Sequence, residues 1–369
     1  MNKVKILGAG SIGSHLSHAS RSLGWQVDLC DVDPTALART RNDIYPARYG
    51  KWDEAIRLFE CKDVPRGSYD LICIGTPPDS HVSLALKAIL ENPRAILVEK
   101  PFCTPDLNGA QELFDLARNN GVAVFTGYDH VVGKAARQAE VLIRSGVIGQ
   151  VQTIDVEFRE HWGGIFNAHP WLSGPEDSYL GYWERGGGAS GEHSHAINLW
   201  QHFAHVSGAG RVVEVSAMLN YVKRGKSIYD DLCLLNLRTE NGLVGRVVQD
   251  VVTRPHRKRA RVQGTEGAVE WINGYSQDCD AVLCLMPGRD EEVHLIPKKR
   301  PDDFVEELKH LQAQIDHPGE PSGISLERGL DTMLVVAAAH GAARSQSQMQ
   351  IDYSRGYKLD ALRPLKFSS

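Results

Sequence analysis

Two short stretches supply an ammonium, carboxylates, an imidazole and an amide. In the first, the apolar run Ala95-Ile-Leu-Val98 stops at Glu99-Lys100-Pro101. An apolar run with β-branched members reads as a buried strand of a parallel sheet, and the abrupt charge marks its carboxyl end, where open α/β sheets place their ligands. Lys100 can aim its ammonium into that crevice, a place suited to stabilising negative charge; the plainer alternative is a surface lysine opening a turn. Pro101 removes a backbone donor and bends the chain, a cis peptide bond being one way to do so. In the second stretch a glycine turn, Gly186-Gly-Gly-Ala-Ser-Gly191, leads into a helix on which Glu192 and His195 share a face at i and i+3, with Asn198 one turn further. An imidazole titrates near neutral pH and can move a proton.

The elements in front of these residues are those of a dinucleotide site. Lys3–Leu7 reads as a short strand that feeds Gly8-Ala-Gly10-Ser11-Ile12-Gly13, after which Leu16, Ala19 and Leu23 continue at helical spacing. The first glycine permits the tight turn, the second lets a diphosphate approach the backbone, and the third lets helix and strand pack closely. The phosphates then meet the helix N-terminus. A methyltransferase or a plain structural turn shows a similar glycine pattern. A second strand, Gln26–Cys30, ends at Asp31, eighteen residues after Gly13, where the fingerprint places a carboxylate for the ribose hydroxyls. A carboxylate there repels a 2′-phosphate, so NAD is expected over NADP, although Arg39 and Arg41 nearby leave NADP open. The alternative for Asp31 is a turn or cap before Asp33-Pro34. A strand at 70–74 leads into Gly75-Thr76-Pro77-Pro78-Asp79-Ser80-His81, a proline-stiffened loop over the same crevice, and then a helix. A helix from Asp106 through Arg118 and a strand over 122–126 complete a doubly wound parallel sheet, the dinucleotide-binding Rossmann domain of residues 1–128. Segment 46–60 is not resolved by its pattern.

From residue 129 to 369 the pattern changes to strands of period two. Gln150–Arg159 alternates Ile154, Val156 and Phe158 with charged neighbours, and further strands read over 211–222, 229–239, 243–253, 258–263, 267–272 and 280–286. This is an α+β domain with a large, mostly antiparallel open sheet, its C-terminal helices free to pack back on the first domain. Between its first strand and the rest lies Glu160–Ser207, rich in aromatic residues and histidines, including Trp162, His169, Trp171, Tyr179 and Trp183. Aromatic planes with polar edges suit the mixed faces of a sugar ring. For any one of these residues, inter-domain packing is the alternative.

Composition narrows the field. The chain has 369 residues, 41 basic against 46 acidic, a net charge of −5 and 24% charged residues. Such a balance argues against nucleic acid or an anionic membrane as partner. The basic run Arg254–Arg261 reads as a solvated strand face. Seven scattered cysteines without a Cys-x-x-Cys pair read as reduced thiols. No apolar signal core precedes the glycine loop and no stretch approaches a membrane span, so a soluble cytoplasmic protein is expected. His193-x-His195 and His202-x-x-His205 invite a metal reading, but i and i+2 diverge on a helix and no His-Glu-x-x-His is present, so no metal is expected.

Gly8–Gly13, Thr76-Pro-Pro-Asp-Ser-His81, Val98-Glu-Lys-Pro101, Ile143–Val151, Gly264–Trp271 and Glu327-Arg-Gly-Leu-Asp331 together resemble the glucose–fructose oxidoreductase, inositol dehydrogenase and MocA family over nearly the whole chain. The resemblance implies a cofactor site including Gly8, Gly10, Ser11, Ile12, Gly13, Asp31, Thr76, Pro77, His81, Glu99 and Lys100. It places Lys100 beside the nicotinamide and the substrate hydroxyl, with His195 acting on the same hydroxyl. Many members carry an aspartate where this chain has Gly191, whereas Glu192 fits a subgroup reading Glu-x-Ser-His, often tied to cell-surface sugar biosynthesis. Asn198 stands for a common aspartate, and Asp129 stands where an asparagine is frequent, so Asp129 binds substrate or turns the chain. The implied activity is hydride transfer between a secondary hydroxyl of a sugar, cyclitol or sugar derivative and NAD(P). In it His195 is the base, Lys100 stabilises the oxygen, and Glu192 orients His195 or touches another hydroxyl. Asp129, Trp162, His169, Tyr179, Trp183 and Asn198 would line the substrate, and a homo-oligomer, dimer or tetramer, would form through the open sheet. A dinucleotide-binding sensor without catalysis, or an imine or enone reductase on the same fold, are the rival readings.

Overall fold

A computed structural model describes residues 3–167 and 171–365. Its first sheet contains β1 (Lys3–Leu7), β2 (Gln26–Asp31), β3 (Ile56–Glu60), β4 (Leu71–Ile74), β5 (Ala95–Val98) and β6 (Ala123–Thr126), all parallel, in the order β3-β2-β1-β4-β5-β6. Every residue of β4 and β5 is buried, as a central parallel strand covered on both faces requires. Helices Ser11–Ser22, His81–Ile89 and Ala110–Asn120 are among those that cover it. The last begins later than its sequence suggests. Leu107 and Gly109 take positive φ angles (57° and 73°), and Asp106 accepts from the Thr104 hydroxyl and Asn108 N–H, so a turn occupies the first positions. Strand β3 lies in segment 46–60, to which the sequence pattern assigns no element. A π-helical stretch, Thr40–Ile44, interrupts the 3.6-residue period before it.

The second sheet has ten strands: β7 (Val151–Arg159), β8 (Val212–Arg224), β9 (Ser227–Thr239), β10 (Val244–Asp250), β11 (Arg257–Gly264), β12 (Ala268–Ser276), β13 (Cys279–Leu285), β14 (Glu292–Pro297), β15 (Met349–Ile351) and β16 (Leu362–Pro364). They run in the order β14-β13-β12-β11-β7-β10-β9-β8-β15-β16, and β7 with β10 is the parallel pair among antiparallel ones. In β7 the side chains of Ile154, Val156 and Phe158 are buried under helix His195–Val206, whose Trp200 indole donates to Ile154 O at 2.8 Å. On the opposite face the basic run pairs in place: Arg257 with Glu157 at 2.6 Å and Arg261 with Glu270 at 2.6 Å.

The chain's last helices join the two sheets. Helix Asp302–Asp316 packs on Ser11–Ser22, while Leu326–Ser345 spans from β8 to β6, beside a bridge between Phe125 and Ser325. Among the described residues no helix is long and apolar enough to cross a membrane.

Candidate active site

The carboxyl ends of β1, β4 and β5 open into a cleft of about 600 Å³. Gly10, Ser11, Ile12, Thr76 and Pro77 line one side, and Glu99, Lys100, Asp129, Tyr179, Glu192 and His195 line the other. The glycines divide their work as the spacing predicts. A Cβ on Gly8, whose φ is +104°, would lie 2.7 Å from Gly75 O, and one on Gly13 would lie 1.9 Å from Gly8 O. At Gly10 a Cβ would meet nothing within 4 Å, so this is where a ligand can approach the backbone. Asp31 braces the loop, its Oδ2 accepting from Ala9 N–H at 2.7 Å and its Oδ1 from Asp33 N–H at 3.0 Å. His81 does not line the cleft. It is buried, with Nε2 2.7 Å from Thr76 O and Nδ1 3.0 Å from Pro101 O, and so ties the proline loop to the turn after Lys100. The Lys100–Pro101 peptide bond is cis.

The expected line of Glu192, His195 and Asn198 is broken. The helix Gly188–Glu192 ends before His193, and a new one starts at His195. Glu192 turns to Lys100, whose Nζ lies 3.0 Å from Glu192 Oε2 and donates to Glu192 O at 3.1 Å. His195 faces Asp129 instead, Nδ1 to Oδ1 at 3.7 Å. Asn198 is buried away from the cleft, its Nδ2 donating to Thr332 Oγ1 at 3.3 Å. Trp162 stacks on Tyr229 with centroids 4.7 Å apart, and Trp183 on His340 at 4.5 Å; neither lines the cleft. His169 lies outside the described residues.

Burial governs the protons here. It holds the His195 imidazole well below its ordinary range, reinforced by His130, Lys100, Lys258 and His193, so the ring is neutral at neutral pH. Burial brings His130 and His193 to about 4. Glu99 is raised by burial and by the charge of Asp129. For Asp129 burial pulls upward, but His130, Arg300 and Lys298 win and keep it ionised. Ligand atoms of Asp129, His130 and His195 lie within 4.8 Å of one another, a nitrogen-and-oxygen set of the kind that first-row divalent ions accept.

Several lining residues escape sequence reading: Arg48, Glu160, Lys258, Arg300, Phe304 and Glu307. Arg48 sits just beyond the π-helical stretch; Lys258 belongs to the basic run expected to be a solvated face but turns into the cleft, where it pairs with Glu160 at 2.6 Å; Arg300, Phe304 and Glu307 arrive from the later part of the chain with no motif around them.

Two sequence models of one family match the chain. One, described as the oxidoreductase family with an NAD-binding Rossmann fold, covers residues 2–128, and the other, the GFO/IDH/MocA C-terminal domain, covers 136–270. The chain belongs to the GFO/IDH/MocA family. A curated relative, the uncharacterized oxidoreductase YhhX of Escherichia coli K12, is 34% identical over 107 residues, 29% of this chain and 30% of its own length. Among solved structures, an Agrobacterium radiobacter oxidoreductase in complex with NAD+, L-tartaric acid and magnesium superposes with a TM-score of 0.74 at 20% identity, covering 95% of this chain and 98% of that one. The WlbA dehydrogenase of Bordetella pertussis in complex with NADH and UDP-GlcNAcA gives 0.71 at 18% identity, covering 99% of each.

A Cβ on Gly191 would lie 2.0 Å from Gly186 O, so the backbone itself occupies the space that a side chain at this position would need. In this member the carboxylates beside the lysine and the histidine come from Glu192 and Asp129.

Proposed function

We propose that this protein is an NAD-dependent dehydrogenase acting on a secondary hydroxyl of a sugar, cyclitol or sugar derivative. The observation that carries the reading is that Lys100 and His195 line the same cleft as the open approach to Gly10. The cradle suits a dinucleotide: Gly10 admits the diphosphate and Asp31 stands at the end of β2 for the ribose. A nicotinamide held in this cradle would supply the acceptor for hydride from the hydroxyl-bearing carbon. Neutral His195 takes the hydroxyl proton, Asp129 stabilises the imidazolium that results, and Lys100 stabilises negative charge on the oxygen. Tyr179, Phe158 and Trp171 add aromatic surface to the wall. The hydroxylated ligands bound by the two structural neighbours, L-tartaric acid and UDP-GlcNAcA, support the substrate class. Exposed Met218 and Leu234, paired across β8 and β9, support a homo-oligomer through the second sheet.

The test is absorbance at the reduced-nicotinamide band, with NAD and NADP separately, against cyclitols, free sugars, glycosides and nucleotide sugars. Turnover with NAD on one member is the expected result. Tight cofactor binding with no turnover across the panel would favour a sensor instead.

A further inference from the structure

Arg48 stands over the glycine loop, and among the described residues no carboxylate bears on it. Its Nη1 donates to Ser11 O at 2.9 Å and its Nη2 to Ser11 Oγ at 2.8 Å. Ser11 opens the twelve-residue helix Ser11–Ser22, whose free N–H groups and positive dipole end face the same space. The charged or ionisable groups that bear on Arg48 are Tyr49 and Arg300, with no carboxylate among them. Arg48 is half-buried, and partial desolvation beside a second guanidinium is unfavourable unless a negative group compensates it.

Arg300 supplies the second charge from the other half of the chain. It precedes helix Asp302–Asp316, which packs on Ser11–Ser22, and its guanidinium lies 5.2 Å over the Phe304 ring. Phe304 in turn stacks on His15 at 4.8 Å, fixing this segment to the dinucleotide helix. Both arginines line the cleft that contains Gly10. Arg300 also feels Glu99, Asp129 and Asp303, so part of its field is already opposed, whereas that of Arg48 is not.

We propose that Arg48 and Arg300 together clamp the dinucleotide diphosphate in the cleft, adding charge-assisted bonds to the N–H groups of the glycine loop. The clamp rests on the cofactor site described above and not on the identity of the substrate. Arginine suits this position because its planar fork meets phosphate oxygens two at a time.

Calorimetric titration of the full-length protein with ADP, adenosine and NADH tests the clamp. Arg48→Ala should weaken ADP and NADH at least about tenfold, roughly 1.4 kcal/mol, and leave adenosine unchanged. Arg300→Ala should show the same pattern with a smaller loss. Arg48→Lys should recover part of the ADP affinity, and the salt dependence of NADH binding should flatten in both alanine variants. Equal affinities of wild type and both variants for ADP would overturn the proposal, as would a parallel loss of adenosine. Should Arg48→Ala not fold, Arg48→Lys and the wild-type salt dependence decide alone: salt-independent NADH binding sinks the clamp. A wild type that binds NADH without turning over any substrate would defeat the dehydrogenase reading and leave the clamp measurable.

Discussion

Lys100 Nζ is held by a single residue through two of its atoms, Glu192 Oε2 at 3.0 Å and Glu192 O at 3.1 Å. The end of β5 and the end of helix Gly188–Glu192 are thereby locked together, and the ammonium is fixed beside the cleft rather than left to sample rotamers. Replacing the lysine with an apolar residue of similar length removes the charge and keeps the packing. Lys100→Met should lower kcat by about 10²–10³-fold or more while the NADH dissociation constant stays near that of wild type. Glu192→Gln keeps the carbonyl contact and loses the ionic one, so kcat should fall by less, on the order of tenfold. A Lys100→Met variant that also fails to bind NADH would mark the lysine as structural.

The pH profile of oxidation should report the neutral imidazole. Burial and the neighbouring cationic groups depress the proton affinity of His195, so the acidic limb of kcat/KM should lie below the ordinary histidine range of about 6.5. Asp129→Asn removes the negative charge 3.7 Å from Nδ1, which should move that limb further to acid and reduce kcat about tenfold. His195→Asn should abolish the limb and cost about 10²–10⁴ in kcat. An unmoved limb in Asp129→Asn would disconnect the carboxylate from the base.

Local patterns made much of this architecture legible. The glycine loop, the apolar runs of β4 and β5 and the period-two alternation of β7 each record a burial pattern that only one kind of element satisfies. The strand order, the stacking of Phe304 on His15 that brings Arg300 to the cleft of the glycine loop, and the pairing of Asp129 with His195 depend on chain returns that leave no local trace. Helical spacing misled at Glu192, because His193 leaves the helical conformation at φ −97°, ψ 22° and turns Glu192 from His195 toward Lys100. Trp162 and Trp183 show the other limit: an aromatic residue suits a sugar or a core equally well, and only burial separates the two.

Buried histidines should make the fold acid-sensitive before its carboxylates titrate. Burial sets His130 and His193 at about 4 and His340 at about 3, against about 6.5 in an unfolded chain. Folded values that lie lower mean that the unfolded state binds more protons between those limits, so stability is complete above about 6.5 and falls as pH drops toward 4. Each contributes a slope of up to ~1.4 kcal/mol per pH unit in that window. His340 isolates the effect, since it lies outside the cleft between Tyr221 Oη at 2.6 Å and Ser190 Oγ at 3.1 Å. His340→Gln should be less stable than wild type at pH 7 by roughly 1–3 kcal/mol, with the gap narrowing as the pH falls to 5. Urea denaturation at several pH values measures this, and parallel curves would show that His340 gains no proton on unfolding.

Two glycines three residues apart should respond oppositely to the same added methyl group. A Cβ on Gly13 would sit 1.9 Å from Gly8 O, a backbone atom that cannot swing away, so Gly13→Ala must displace the helix from the strand. Its melting temperature should drop, by several degrees or more for a change of a few kcal/mol. At Gly10 a Cβ meets nothing within 4 Å, so Gly10→Ala should melt like wild type. The methyl group would stand where the diphosphate approaches the backbone, however, and NADH affinity should fall by at least about tenfold, ~1.4 kcal/mol. Thermal melts with and without NADH read both effects together. A Gly10→Ala variant that NADH stabilises as strongly as wild type would mean that the diphosphate does not lie against this loop.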